Sequence, residues 1–381
     1  MVRYVPTSAL ILLGIVAGSA QPCSICNPNF LRAQTLRQSA TQARFIVIAH
    51  LANPRLEGER GKTDLIVEEV IFDDKCLGTS QKLTLNSYVP FDPKKPPRYL
   101  FMGDIQNGTV DIIRGEAIQG TGIHEYLKRI RAIPENDRTR LLHTCFTYLD
   151  ATNEAIAADA FHELAKASDQ ELAEVGKTLS PTKIRAFLKD PRTPADRLSV
   201  FAFLLGACGT KEDAKYLVSL IHATEQRYQS SLSGLLGGLL VLDARQGWQL
   251  VEEILRDRTR AFADKMSVHN TIRFIHATRP QDHRQAILRC LEIIVEDGEM
   301  ADMAIEDLRR WHWWDLTKLI LAQYGKPGHS APLVKRSIVR YAISSPNAGN
   351  FIAERRRDDP KLVEHVEESL QFERATQPIP K

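Results

Sequence analysis

Two kinds of hydrophobic pattern divide the chain and predict two kinds of structure. Between residues 44 and 118, short runs rich in β-branched and aromatic residues are separated by Gly, Pro, Asn and Asp, as in β-strands. From about Pro134 onward, apolar residues recur at i, i+3, i+4 and i+7, which is the spacing of one helix face. The sequence therefore predicts an α+β protein with a β-rich domain over residues 21–133 and a helical domain over residues 134–374.

The first pattern predicts about five strands after one short helix. Apolar residues that share one face predict the helix within residues 30–43. The strand-like runs cover residues 44–52, 62–72, 82–89, 98–104 and 109–113, with a further extended piece at 116–118. Short strands with a single helix favour a small β-barrel or sandwich.

The second pattern predicts paired helices. Helix starts are indicated by Pro181, Pro194 and Asp282, and helix ends by Gly209, Gly298, Gly325 and Pro346. Helices with short connections pair at intervals of about 40 residues, which suits a HEAT-like array, and the clearest pairs cover residues 195–223 and 300–324. We expect stacked pairs to leave an extended surface for partners, and a disordered tail at residues 375–381.

The N-terminus has the features of a secretory signal peptide. Arg3 precedes an apolar stretch at residues 9–17, and small residues follow at 18–20. The stretch is shorter than the roughly 20 residues that a spanning helix needs, and an uncleaved anchor is the alternative. We expect cleavage after Ala20 and export to a periplasmic or extracellular space. Because Gln21 and Pro22 do not fit a lipid-attachment signal, we expect no lipidation, and no later segment is predicted to span a membrane.

Four segments carry a resemblance over nearly the whole chain. They are CSIC at residues 23–26, TDLIVEEVI at 63–71, YVPFDPK at 88–94 and AIEDLRRW at 304–311. In these segments the chain resembles a group of exported proteins with HEAT-like helical repeats, typical of planctomycete-type bacteria. The resemblance implies a shared architecture and no particular activity.

A second resemblance covers roughly residues 23–120. The pair Cys23 and Cys26, a short helix, and the runs RFIVIAHL and TDLIVEEVIF resemble the netrin-like, tissue-inhibitor-like branch of OB-fold barrels. In the metalloproteinase inhibitors of that branch, the resemblance implies that an N-terminal Cys chelates the protease zinc through its free amine. This chain departs from the pattern because Gln21 and Pro22 precede Cys23, which puts an inhibitor function in doubt.

Composition narrows the function classes. The chain of 381 residues carries 50 basic and 47 acidic residues and a net charge of +3, without the concentrated basic surface of a nucleic-acid-binding protein. Its six cysteines are too few for a disulfide-rich scaffold. Cys145, Cys208 and Cys290 fall within apolar helical patterns, and we expect them to be buried thiols.

The CxxC formed by Cys23 and Cys26 is the clearest candidate for chemistry. A thioredoxin-like site needs a preceding strand, and only the signal peptide and two residues precede this pair. Haem attachment would require His at position 27, which is Asn27. We therefore favour a structural disulfide, between the pair or with Cys76, and keep a thiol-disulfide redox function as the alternative.

Histidines and tryptophans provide the other candidates. His269 and His276 lie about 10 Å apart along one helix face, too far to share a metal, and we expect them at the surface or in a groove. The segment Trp311, His312, Trp313 and Trp314 is a possible partner-binding cluster because Trp is enriched at binding hot spots, with packing between repeats as the alternative.

No nucleophile-elbow, zinc-protease, P-loop or dinucleotide motif occurs in the sequence. We therefore predict no catalytic residue, metal or cofactor. The expected function is non-enzymatic binding of a protein partner of unknown identity through the helical surface. The alternatives are the CxxC redox function and protease inhibition through the N-terminal domain.

Overall fold

The computed structural model describes residues 34–58 and 60–376 of the chain. The predicted signal peptide lies outside the described residues, as do Cys23, Cys26 and residues 377–381. The last helix runs to Thr376, so the first two residues of the predicted tail are helical.

The five strands of the described residues form one antiparallel sheet. They are β1 (Phe45–Glu57), β2 (Arg60–Asp73), β3 (Lys82–Leu85), β4 (Arg98–Gln106) and β5 (Thr109–Ala117). The order across the sheet is β3-β2-β1-β4-β5, so β1 is central. The two edge strands approach each other, although the ladders found in the described range leave the sheet open between them.

Alternating residues of β1 are buried on both faces of the sheet. Phe45 and Val47 join a cluster inside the curved sheet, together with Phe101 of β4. Ile46 and Ile48 point to the opposite face, where the core of the helical part begins. Because both faces are covered, β1 reads as an almost continuous apolar run, FIVIA, rather than as a strict alternation.

Helices make up most of the remaining described chain. They are α1 (Leu36–Gln42), α2 (Ile123–Arg131), α3 (Arg138–Thr147), α4 (Glu154–Ala165), α5 (Asp169–Gly176), α6 (Pro181–Lys189), α7 (Ala195–Cys208), α8 (Lys211–Ile221), α9 (Gln226–Gln229), α10 (Leu232–Leu242), α11 (Ala244–Arg256), α12 (Phe262–Thr278), α13 (Arg284–Asp297), α14 (Ala301–Arg310), α15 (Thr317–Ala322), α16 (Pro332–Ser344), α17 (Gly349–Asp358) and α18 (Pro360–Thr376).

The helix boundaries follow local sequence signals. Thr35 and Gln38 form a capping box at α1, and Ser168 and Glu171 form one at α5. Gly298 ends α13 in the left-handed conformation (φ +91°), which glycine adopts without a steric cost. These signals explain why the α+β class and most helix positions are predictable.

Helix α2 corrects the predicted start of the helical part. It begins at Ile123, eleven residues before Pro134, within the segment that we assigned to the β-rich domain. Its buried residues Ile123, Tyr126, Leu127 and Ile130 have helical spacing. A single hydrophobic cluster runs from Ile46 of the sheet through α2 into the later helices, so the two parts share one core.

Four helices close into a ring in the middle of the chain. α5 contacts α7, α7 contacts α10, α10 contacts α12, and α12 returns to α5. Residues 198–206 of α7 and 232–240 of α10 are buried without interruption, because these two helices are surrounded by others. Neighbouring helices therefore cover α7 and α10 on all sides.

Glycine permits the closest contact in this ring. A Cβ atom at Gly238 would overlap the carbonyl oxygen of Ala202, and one at Gly234 would overlap that of Ser199. The backbones of α7 and α10 therefore touch directly. On the far side of the ring, α14, α16 and α18 contact one another in succession and complete the C-terminal part.

Candidate functional site

The tryptophan segment lies directly after α14, where the backbone turns sharply. The amide of His312 donates to the carbonyl of Arg309 at 3.1 Å, and that of Trp313 donates to Leu308 at 2.9 Å. His312 has a φ of +56°, so these bonds form a Schellman turn with a histidine where glycine is usual. The turn sends Trp313 back over the end of its own helix.

The outer side of this segment is an aromatic stack. The ring of His276, at the end of α12, lies parallel to that of Trp311 at 3.7 Å between centroids. Trp313 meets both rings edge-on, at 5.1 Å from His276 and 5.4 Å from Trp311. Burial lowers the pKa of His276, so its ring stacks on the indole as a neutral imidazole at neutral pH.

Arg284 packs on the indole ring of Trp313. The guanidinium of Arg284 lies 4.7 Å from the ring centroid of Trp313 and makes two hydrogen bonds to Asp315, at 3.0 and 2.6 Å. The cation is therefore held between a carboxylate and an indole face.

The inner side of the segment packs against α16. Trp314 meets the ring of Tyr341 edge-on at 5.1 Å. The Tyr341 hydroxyl donates to the carbonyl of Trp313 at 3.1 Å and lies 3.0 Å from the hydroxyl of Thr317. These contacts anchor the segment to the hydrophobic core.

Exposure divides the four candidate residues. Trp313 is only 8 % exposed, Trp311 and Trp314 are half-buried, and His312 is exposed. Packing between helices thus accounts for Trp313 and for the inner half of Trp314. Trp311 and His276 are half-buried, the adjacent His312 is exposed, and we call the accessible part of these three residues the aromatic rim.

We expected His269 at the surface or in a groove, and this prediction was wrong. His269 is fully buried, with Nε2 at 2.9 Å from Oδ2 of Asp307. Arg273 donates two hydrogen bonds to the same carboxylate, at 2.7 and 3.0 Å. Burial raises the pKa of Asp307, but the contacts with His269 and Arg273 outweigh it and hold the pKa below its usual range.

The contacts of Asp307 with His269 and Arg273 join α12 to α14, and the sequence did not predict them. The sequence shows that His269 and Arg273 are four residues apart on one helix face, so one carboxylate can reach both, but it does not show which acid that is. Asp307 lies inside the segment AIEDLRRW.

The described thiols are poorly placed for reaction. Cys145 and Cys290 are buried and free, and burial raises the pKa of both. Cys208 is half-buried rather than buried, and desolvation raises its pKa to about 11. Cys76 is also free, with its pKa raised by burial and by the nearby Asp73 carboxylate. A bridge from Cys76 to Cys23 or Cys26 stays a prediction because the latter two are outside the described range.

Within residues 34–58 and 60–376, no group of three or more His, Cys, Asp or Glu side chains is arranged to hold a metal ion. None of the helices described there is both long and apolar enough to cross a bilayer. Comparison of the chain with protein-family models, with curated proteins and with solved structures gives no significant match.

Proposed function

We propose that the chain is an exported, non-enzymatic protein that binds or scaffolds a protein partner through its helical part. The observation that carries this proposal is the aromatic rim. Trp311 is stacked on His276 and braced by Trp313, which Arg284 covers from the other side. An indole that is already immobilised loses little conformational entropy when a partner covers it, and Trp is enriched at binding hot spots.

In this proposal the helical part and the sheet have different architectures and different roles. The helices would form a HEAT-like array, and the sheet, whose edge strands approach each other, would form a small OB-like barrel. Ile46 of the sheet shares one hydrophobic core with the helices. This favours a structural role for the sheet, in which it holds the array in one orientation. The partner is expected outside the cytoplasm if residues 1–20 direct export.

Capture of a partner with matched variants tests this function. Tagged mature protein is crosslinked in the envelope fraction of the source organism, and its partners are identified by mass spectrometry. We expect one reproducible partner with wild type, and loss of that partner with Trp311→Ala. Phe262→Ala is the control, since Phe262 is 49 % exposed at the other end of α12.

A second variant separates binding from folding. His312→Gly removes the imidazole from the rim but supplies the residue that a left-handed cap prefers, so we expect stable protein with weaker capture. Equal capture by wild type, Trp311→Ala and Phe262→Ala would overturn the role of the rim. N-terminal sequencing of the exported protein tests the compartment, with Gln21 as the expected first residue.

A further inference from the structure

A cleft of about 560 Å³ lies between α4, α6 and α7 and shares no residue with the aromatic rim. Its volume is within the roughly 300–1,000 Å³ of sites that bind small molecules. The lining residues are mostly apolar on one wall and charged at the margins. They include Phe187 and Phe201 on the apolar wall, together with Arg197, Asp190, Arg192 and Asp150.

The apolar wall presents aromatic rings. Phe187 and Phe201 stack nearly parallel, with centroids 4.7 Å apart and planes 17° apart. Phe161 packs edge-on against Phe201 at 6.0 Å, and both of these rings are almost fully buried. Phe201 is only 1 % exposed and supports Phe187 from behind, so the accessible ring of the wall is that of the half-buried Phe187.

A half-buried cation without an acidic partner faces the same cleft. The guanidinium of Arg197 lies 5.1 Å from the ring centroid of Phe161. Desolvation lowers the pKa of Arg197, and only the neighbouring Asp196 acts in the opposite direction. In the part of the chain that the structure describes, Arg197 has no carboxylate within ion-pair distance, whereas nearby Arg185 is paired with Asp213 at 2.7 Å.

The acids at the margins of the cleft are already neutralised. Asp190 is held by Arg192 at 2.8 Å, and Asp150 is paired with Lys183 at 2.7 Å. Glu154 is exposed at the first turn of α4, where water solvates it. The charge that remains uncompensated inside the cleft is thus the positive charge of Arg197.

We propose that this cleft binds a carboxylate on a compact aromatic or apolar body, with Arg197 holding the carboxylate and Phe187, supported by Phe201, contacting the body. A guanidinium offers two parallel donors that match the two oxygens of a carboxylate. Stacked rings beside it favour a flat apolar group. The carboxylate belongs either to a free small acid or to the C-terminus of a peptide, since the recognised chemistry is the same.

Titration of full-length mature protein by calorimetry tests the proposal. The probes are N-acetyl-L-phenylalanine and N-acetyl-L-phenylalaninamide, which differ only in the charge of the terminal group. We expect the acid to bind at least ten-fold more tightly than the amide. A tripeptide ending in Phe with a free carboxylate distinguishes the two sources, because tighter binding than the single residue assigns the site to peptide C-termini.

Paired variants isolate the guanidinium. Arg197→Gln should weaken binding of the acid at least ten-fold, and Arg258→Gln, at an exposed position outside the cleft, should change it less than two-fold. If Arg197→Gln proves unstable, Arg197→Lys keeps the charge but loses the paired donors and should weaken binding three-fold or more. Equal binding of acid and amide, or full affinity in both Arg197 variants, would overturn the proposal. Capture through Trp311 should be unchanged in Arg197→Gln, which separates this site from the proposed partner function.

Discussion

The hydroxyl of Tyr126 donates a buried hydrogen bond of 2.7 Å to the carboxyl group of Asp159. The other oxygen of Asp159 accepts from the backbone amide of Leu36, also at 2.7 Å. One side chain of α4 thereby ties α1 and α2, which flank the sheet, to the helical part. The contact therefore links both helices to the core that the sheet and the helical part share.

Asp159 should make stability depend on pH in an unusual direction. Burial raises the pKa of Asp159 to about 6, while the unfolded value is 3.8. The folded state therefore binds the proton more tightly, and its stabilising effect is lost as pH rises from about 4 through about 6. Relative to Asp159→Asn, wild type should lose about 2.4 kcal/mol between pH 4 and pH 7.

Urea unfolding of wild type and Asp159→Asn at pH 4, 5, 6 and 7 measures this difference. Tyr126→Phe is the companion variant, because it removes the hydroxyl donor and leaves the carboxyl group in place. A constant difference between wild type and Asp159→Asn across this pH range would contradict the raised pKa of Asp159.

The contact between α7 and α10 should tolerate no side chain at Gly238. Gly238→Ala pushes a methyl group into the Ala202 carbonyl, so the two helices must separate and the free energy of unfolding should fall by more than about 2 kcal/mol. Gly349→Ala is the matched control, because open space surrounds Gly349 at the start of α17. It should be neutral or stabilising by up to about 1 kcal/mol. Chemical unfolding compares them, and similar stabilities for the two variants would refute the close contact.

The buried carboxylate of Asp307 should be essential for stability at neutral pH. Asp307→Asn leaves Arg273 and His269 without their anion, and we expect a loss of about 3 kcal/mol. Because the pKa of Asp307 is lowered in the fold, its contribution is present above the unfolded pKa and disappears as pH falls through the folded value. The loss should therefore shrink in strong acid, below about pH 4.

Glu212→Gln is a suitable control for Asp307→Asn. Glu212 pairs with Lys215 on an exposed helix face, where an ion pair contributes about 0.5 kcal/mol or less. Thermal melts at pH 7 and pH 3.5 compare the two variants with wild type. A melting temperature for Asp307→Asn close to that of Glu212→Gln at pH 7 would show that the buried pair is dispensable.

Thiol labelling tests the CxxC redox hypothesis against a structural disulfide. In native protein at pH 7, we expect Cys145 and Cys290 to stay unlabelled by iodoacetamide, because both are buried and protonated. Cys208, with a pKa of about 11, should react about 100-fold more slowly than an exposed thiol. A bridge between Cys23 and Cys26 leaves four labelled cysteines after unfolding without reductant. Six labels, with rapid native reaction of Cys23 or Cys26, would favour the redox function.

The sequence predicts the fold best where local chemistry decides the structure. Pro181 begins α6, Ala195 begins α7 directly after Pro194, and Gly209 follows the end of α7. The extended pieces at 109–113 and 116–118 prove to be one strand, β5, since pairing with β4 carries the backbone through both. Closure of α5 against α12 was not predictable, because it depends on packing between residues about a hundred positions apart.

For the candidate site, the sequence predicted which residues are involved but not how they are arranged. Three tryptophans within four residues drew attention to residues 311–314. Their unequal exposure comes from the turn at His312, and the sequence does not reveal this turn because it lacks the glycine that is usual there. His269 was misplaced because a histidine on a helix face reveals nothing about what packs over it. The partner, Asp307, approaches from another helix, and no spacing in the sequence links the two.

The ring of α5, α7, α10 and α12 has a mechanical consequence. A stack in which helices touch only their neighbours stretches under load through small movements at each interface. Here Gln170 of α5 donates to the carbonyl of Ala277 in α12, across 107 positions of the chain. Because α5 also packs against α12, we expect the central helices to resist separation more than a stack held by neighbour contacts alone.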